Sequence, residues 1–306
     1  MTETAHASAE HSAPTPIPSR PAARKGNNTK HNTSDEKKNL SNSQAVPLPT
    51  PKLRLRANDL THPSTKTFLT LFPDLNSTTQ DALAVIVAEL YTSPPEPPNG
   101  PPSPTPAPYF TPSLPPTRSV TYYLNDFSGV AYTTSIELDK DHKEIHLSLS
   151  YISSVSSRNT PAATKTELTG VLTHELVHCF QHSTPPRTPE RPNPPSPPSG
   201  LIEGVADFVR LKAGLSPPHW KRPLSAADRP EKWDAGYQHT AYFLEWIEDV
   251  RVGKGAVGML NDRLGREGYD GEFWVALFGE SVETLWEEYG VYLDGGLNAK
   301  KGGGKK

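Results

Sequence analysis

Proline constrains this chain more than any other residue, because it comes in blocks. Residues 93–118 (SPPEPPNGPPSPTPAPYFTPSLPPTR) and 185–198 (PPRTPERPNPPSPP) together hold most of the 34 prolines. Each proline fixes φ and removes an N–H donor, so neither block can supply a regular helix or an inner strand. Both read as surface loops inserted into a fold. Residues 1–50 are rich in Ser, Thr, Asn, Lys, Ala and Pro, with almost no large apolar side chains. Such a segment cannot bury enough surface to offset the entropy of ordering it, and it reads as a disordered polar tail. The closing stretch 295–306 is rich in glycine and lysine and is expected to be flexible. The core-forming residues therefore lie within 51–294, read as one domain carrying two proline-rich insertions.

Charge and composition exclude several classes. The net charge is −3, with no basic excess to hold nucleic acid or an anionic membrane surface. No run approaches the ~18 apolar residues of a membrane span. The lone cysteine, Cys179, permits no intramolecular disulfide, which fits a reducing compartment. The first twenty residues contain no apolar signal core, so a cytoplasmic location is expected over a secreted one. Nothing in the pattern indicates oligomerisation, and a monomer is expected.

Periodicity assigns the domain to the α+β class. Asn76 to Tyr91 reads as a helix with Leu83, Ile86, Val87 and Leu90 on one face and a capping box at Ser77 and Gln80. Ser119–Leu124 (SVTYYL) and Ile145–Tyr151 (IHLSLSY) read as strands of a small mixed or antiparallel sheet. Asn125–Ser128 and Asp139–Lys143 read as turns. A second capping box, Thr164 with Glu167, opens a helix running to about His182. Helices are expected over Gly200–Ala213, Asp234–Arg251, Val257–Arg266 and Thr284–Leu293, which makes the C-terminal part helical.

The chemistry lies on the Thr164 helix. His174-Glu175-Leu176-Val177-His178 is an HExxH motif, and residues i and i+4 share a helix face, so both imidazoles can reach one ion. Neutral imidazole suits Zn²⁺. Glu175 sits one residue round from His174, where it can act as general base without ligating. Two histidines and a glutamate are an expensive choice for an apolar helix face unless they have a task. A catalytic zinc needs a third protein ligand. The spacing of the metzincins would require histidine at position 184, which is Thr184. His182 lies two turns from His174, about 12 Å along the axis, too far to share its ion. Glu203, in Glu203-Gly204-Val205-Ala206-Asp207, is the remaining candidate. On a helix Glu203 and Asp207 share a face, so Glu203 can ligate while Asp207 accepts the other ring N–H of a ligand histidine. Gly204 and Ala206 are expected to let this helix approach the HExxH helix closely.

From about Ser119 to Tyr289 the chain resembles the plant basic secretory protein family, zinc peptidases of plants, fungi and bacteria. The resemblance is carried by VTYYLNDFSGVAYTTS, EIHLSLSYI, TGVLTHELVHCFQH, GLIEGVADFVRLKAG, HWKRP, WDAGYQHTAYFLEW and GYDGEFWVALFGESVETLWEEYG. It implies a zincin-like, gluzincin-type catalytic domain with zinc on His174, His178 and Glu203. The chain departs from the family in being slightly acidic, in lacking a visible signal peptide and in its two proline-rich insertions.

A zinc peptidase also needs a second electrophile for the oxyanion. Tyr237 is the first candidate, followed by His239 and Tyr242. An extended peptide substrate is expected to add to an edge strand, assigned to Ile145–Tyr151. Arg210 is expected in a structural salt bridge, and most of Trp220, Trp233, Trp246, Trp274 and Trp286 in the core. The rival reading is a zincin fold without turnover, acting as a binding or defence protein.

Overall fold

The computed structural model describes residues 44–96 and 108–302, with side chains from Val46 to Gly295. The strands are β1 (Gln44–Ala45), β2 (Lys52–Ala57), β3 (Thr92–Ser93), β4 (Ser119–Asn125), β5 (Ala131–Ile136) and β6 (Asp139–Ser148). The helices are α1 (Pro63–Leu71), α2 (Leu75–Leu90), α3 (Leu149–Arg158), α4 (Pro161–Phe180), α5 (Ser199–Lys212), α6 (Tyr237–Trp246), α7 (Ala256–Arg266), α8 (Phe273–Phe278) and α9 (Val282–Gly302). The class is α+β. No helix among the described residues is long and apolar enough to cross a membrane. The tail expected over 1–50 is described only from residue 44, and the closing tail has no described side chain beyond Gly295.

Four strands form a mixed sheet in the order β2-β4-β6-β5. β2, β4 and β6 run parallel, and β5 turns back antiparallel to β6 to form one edge. Alternation along the strands gives the sheet two faces. Tyr122 and Ile145 are buried on the helix side, and Thr133 pairs with Ile145 on that same side. Tyr123, His146 and Tyr132 are paired on the other face. Helix α4 packs on β5 and β6 and is flanked by α2 and α5, while α6 packs on the far side of α5.

Several boundaries differ from the sequence reading. The strand expected over Ile145–Tyr151 ends at Ser148, whose hydroxyl accepts from the Tyr151 N–H at 3.2 Å and starts α3. Leu149, Ile152 and Val155 are the buried side of that helix, so the apolar spacing is helical after Ser148. Asp139–Lys143 is strand, because Arg118–Leu124 offers it a parallel partner. Both expected capping boxes sit inside their helices. Asp74 caps α2, accepting from the Ser77 N–H at 2.9 Å, and Thr160 caps α4 ahead of Pro161. The expected Asp234–Arg251 helix begins only at Tyr237, because Gly236 has φ of +84°. It ends in a π turn over Ile247–Arg251. The 185–198 insertion contains no helix or strand. Trp233, Trp246, Trp274 and Trp286 are core residues, while Trp220 is half-buried.

Helix α5 is gripped by α6 through missing side chains. A Cβ on Gly204 would stand 2.3 Å from Thr240 Cγ2, and one on Gly200 would stand 1.9 Å from the Asp234 carbonyl oxygen. The contact expected between Gly204 and the HExxH helix is therefore made instead with α6. The Thr240 side chain cannot step aside: its hydroxyl donates to Trp233 O at 2.8 Å and accepts from the Gly236 N–H at 3.0 Å. Gly204→Ala is expected to cost about 1–3 kcal/mol, measured by urea unfolding. An unchanged midpoint would show that the two helices can separate freely.

Candidate metal centre

Helix α4 brings His174, Glu175 and His178 to the floor of a cleft of about 1200 Å³. The spacing of four puts both imidazoles on one face, and their Nε2 atoms stand 3.1 Å apart. Helix α5 presents Glu203, whose Oε2 lies 3.1 Å from His174 Nε2 and 3.6 Å from His178 Nε2. These three side chains form the one group among the described residues able to hold a metal ion. An ion with donors at about 2.0–2.1 Å in tetrahedral geometry spaces those donors about 3.3 Å apart. The observed triangle of 3.1, 3.1 and 3.6 Å matches that spacing. Two imidazoles and a carboxylate also suit a borderline cation such as zinc.

The far sides of the two imidazole rings are held too. His174 Nδ1 donates to Asp207 Oδ1 at 2.7 Å, which directs Nε2 towards Glu203 and His178. Asp207, only 2% exposed, sits one turn beyond Glu203 on the same face of α5. His178 Nδ1 lies 3.0 Å from Gln181 Nε2. Gln181 is not among the site residues expected from the sequence. Its position three residues after His178 was the available signal, since i and i+3 are neighbours on a helix.

Glu175 points to the sheet. The Thr133 hydroxyl, on β5, lies 2.7 Å from Glu175 Oε2 and 2.9 Å from its carbonyl oxygen. Neither Thr133 nor its strand is among the elements expected from the sequence, although AYTTSI carries a β-branched alternation.

Tyr237 stacks beside His174, with ring centroids 6.1 Å apart and planes 16° from parallel. It is 57% exposed and has φ of +47°, a left-handed value rare outside glycine. The nested contact of Gly200 with the Asp234–Gly236 turn holds it there. His239 also borders the cleft. Tyr242 is turned away into the core under Arg222. His182 is absent from the group: its Nε2 reaches Ser113 O and its ring packs on Gly265. Arg210 bonds Glu167 at 3.1 Å, Glu167 also accepts from Tyr151 at 2.8 Å, and the three wall one end of the cleft.

The fold and this geometry agree with a comparison against family models. Residues 50–289 match the model of BSP, described as a peptidase of plants and bacteria. The chain belongs to this peptidase family. Among curated proteins and among solved structures, no match to it is found. The match to the BSP peptidases spans β2 to the middle of α9, so it includes all four strands of the sheet and both helices of the centre. The α+β architecture with the His174, His178 and Glu203 group is compatible with a zincin-like fold.

Without an ion, a proton serves the same carboxylates. Burial pushes the His174 imidazole down, but its bonds to Asp207 and Glu203 outweigh that and raise its pKa to about 9. Burial likewise opposes ionisation of Glu203, and the bonds from His174 and His178 hold it well below the usual carboxylate range. Metal must displace the His174 proton. Zinc affinity is therefore expected to rise about tenfold per pH unit across pH 6.5–8.5, measured by competition with a chromophoric chelator. Asp207→Asn should weaken binding about 10- to 100-fold and flatten that slope. An unchanged affinity in Asp207→Asn would remove it from the centre.

Proposed function

We propose that the protein is a zinc-dependent peptidase, with residues 51–294 as its catalytic unit. The observation that carries this reading is the near-tetrahedral spacing of His174 Nε2, His178 Nε2 and Glu203 Oε2 in a chain of a peptidase family. His174, His178 and Glu203 hold the zinc. Asp207 fixes the ring orientation of His174.

A bound zinc ion supplies a Lewis acid that polarises the scissile carbonyl and lowers the pKa of water. Glu175 is the general base: it takes the proton from the attacking water and returns it to the departing amine. The Thr133 hydroxyl holds its carboxylate on the β5 side of the cleft. Tyr237 donates a hydrogen bond to the oxyanion. The charge of Glu203, followed by burial, raises the pKa of the phenol above its ordinary value.

The substrate is a peptide or protein in extended form. Its backbone adds to the edge of β5 that pairs with no other strand among the described residues, because Thr133 on that strand touches Glu175. Of the edge expected from the sequence, Ile145–Tyr151, the part up to Ser148 belongs to an inner strand with β4 and β5 on either side, and Leu149–Tyr151 opens α3. Arg210 is committed to Glu167 and to Leu215 O, and serves the wall of the cleft.

The test is metal analysis paired with digestion of a peptide library. Wild type should contain one zinc per chain and cleave. Glu175→Gln should keep the metal and lose about 10²–10⁴-fold in turnover. Glu203→Ala should lose the metal. Tyr237→Phe should lower kcat about 10²-fold with a smaller change in KM. Zinc retention without cleavage that depends on Glu175 would overturn the proposal in favour of a binding protein on the same fold.

A further inference from the structure

The outer face of the sheet carries a row of stacked planar side chains that runs to its free edge. Strand pairing sets Arg56 of β2 opposite Tyr123 of β4, Tyr123 opposite His146 of β6, and His146 opposite Tyr132 of β5. Tyr123 and His146 have centroids 4.6 Å apart, and His146 and Tyr132 4.5 Å, with both pairs within 5° of parallel. Arg56 closes the far end, with its guanidinium 5.4 Å from the Tyr123 centroid and a 3.0 Å bond to the phenol oxygen. The middle ring is clamped: His146 Nδ1 meets Asn125 at 2.8 Å and Nε2 meets Glu144 at 3.2 Å. The row is already formed without a ligand.

Its other end is open. Tyr132 is stacked on one face by His146, and Phe127 meets it at 66° from the loop that enters β5. Tyr132 nevertheless remains 47% exposed and borders the cleft. The free area is the part of the ring that neither His146 nor Phe127 covers.

We propose that Tyr132 is a specificity residue, selecting peptides that carry an aromatic side chain at the position pairing with it on β5. This rests on the reading above that substrate adds to the β5 edge. Neighbouring strands in a sheet stand about 4.7–4.9 Å apart. That is close to the ring spacing already present in the row, so an added strand sets its side chain at stacking distance from Tyr132. A residue directly opposite Tyr132 projects from the same face in either strand direction. Its two neighbours project to the other face, towards Thr133 and Glu175. An aromatic ring therefore extends the stack, while an aliphatic side chain gains burial alone.

The test walks one tryptophan along an alanine-rich octapeptide labelled with fluorescein. Binding to the zinc-loaded Glu175→Gln chain is followed by anisotropy. At one position tryptophan should bind about two- to tenfold tighter than alanine. That ratio should survive Tyr132→Phe and fall to near unity in Tyr132→Leu. Thermal melting of the variants reports separately on their folding. A ratio unchanged in Tyr132→Leu, or no position with a preference, overturns the proposal. Wild-type cleavage of the same peptides separates the two readings. A Tyr132-dependent preference without cleavage leaves this inference standing and sinks the peptidase; cleavage without the preference does the reverse.

Discussion

The buried hydrogen bond between His174 and Asp207 joins the helices on which everything else in the site is arranged. Asp207 is almost fully enclosed, and a buried carboxylate without a partner costs several kcal/mol. The His174 ring satisfies it at 2.7 Å, and that contact sets the register of α5 on α4. Glu203, one turn earlier on α5, is then delivered to the other nitrogen of the same ring. The opposite face of α5 has no side chain at Gly200 or Gly204, so α6 and the turn before it close in directly. Tyr237 reaches the site through that closure, in a backbone conformation which nothing local would favour.

The second support is the sheet edge. β5 doubles back on β6, and its two faces have separate tasks. Thr133 points inward to Glu175, while Tyr132, one residue earlier, points outward to the stacked row. A strand alternates its side chains, so a single edge can hold Glu175 on one face and expose a ring on the other. The walls of the cleft are committed elsewhere. The Tyr151, Glu167 and Arg210 network satisfies its own charges at one end, and four of the five tryptophans fill the core around α6 and α9.

Much of the α-helical content could be read from the chain, because helical periodicity is local. The faces of α2, α4, α5 and α7 follow from apolar spacing, and the pairs His174 with His178 and Glu203 with Asp207 follow from the same four-residue rule. Boundaries were less legible. Ser148, Asp74 and Thr160 act as caps where other residues looked equally suitable, since a cap is chosen by where the chain arrives. The strands β2 and β5 and the helices α1, α3 and α8 are short, and their stability comes from packing with distant segments.

By itself the sequence determined which residues could share a metal: two histidines on one helical face, and Glu203, with Asp207 behind it, on another. It also set where regular structure must stop, at its proline blocks. Only the tertiary structure decided that β5 rather than Ile145–Tyr151 is the edge, that Gly204 faces Thr240, and that Thr133 and Tyr237 stand beside the His174, His178 and Glu203 group. Those outcomes depend on which strands pair and which helices touch. Such contacts join residues tens of positions apart, and no spacing along the chain encodes them.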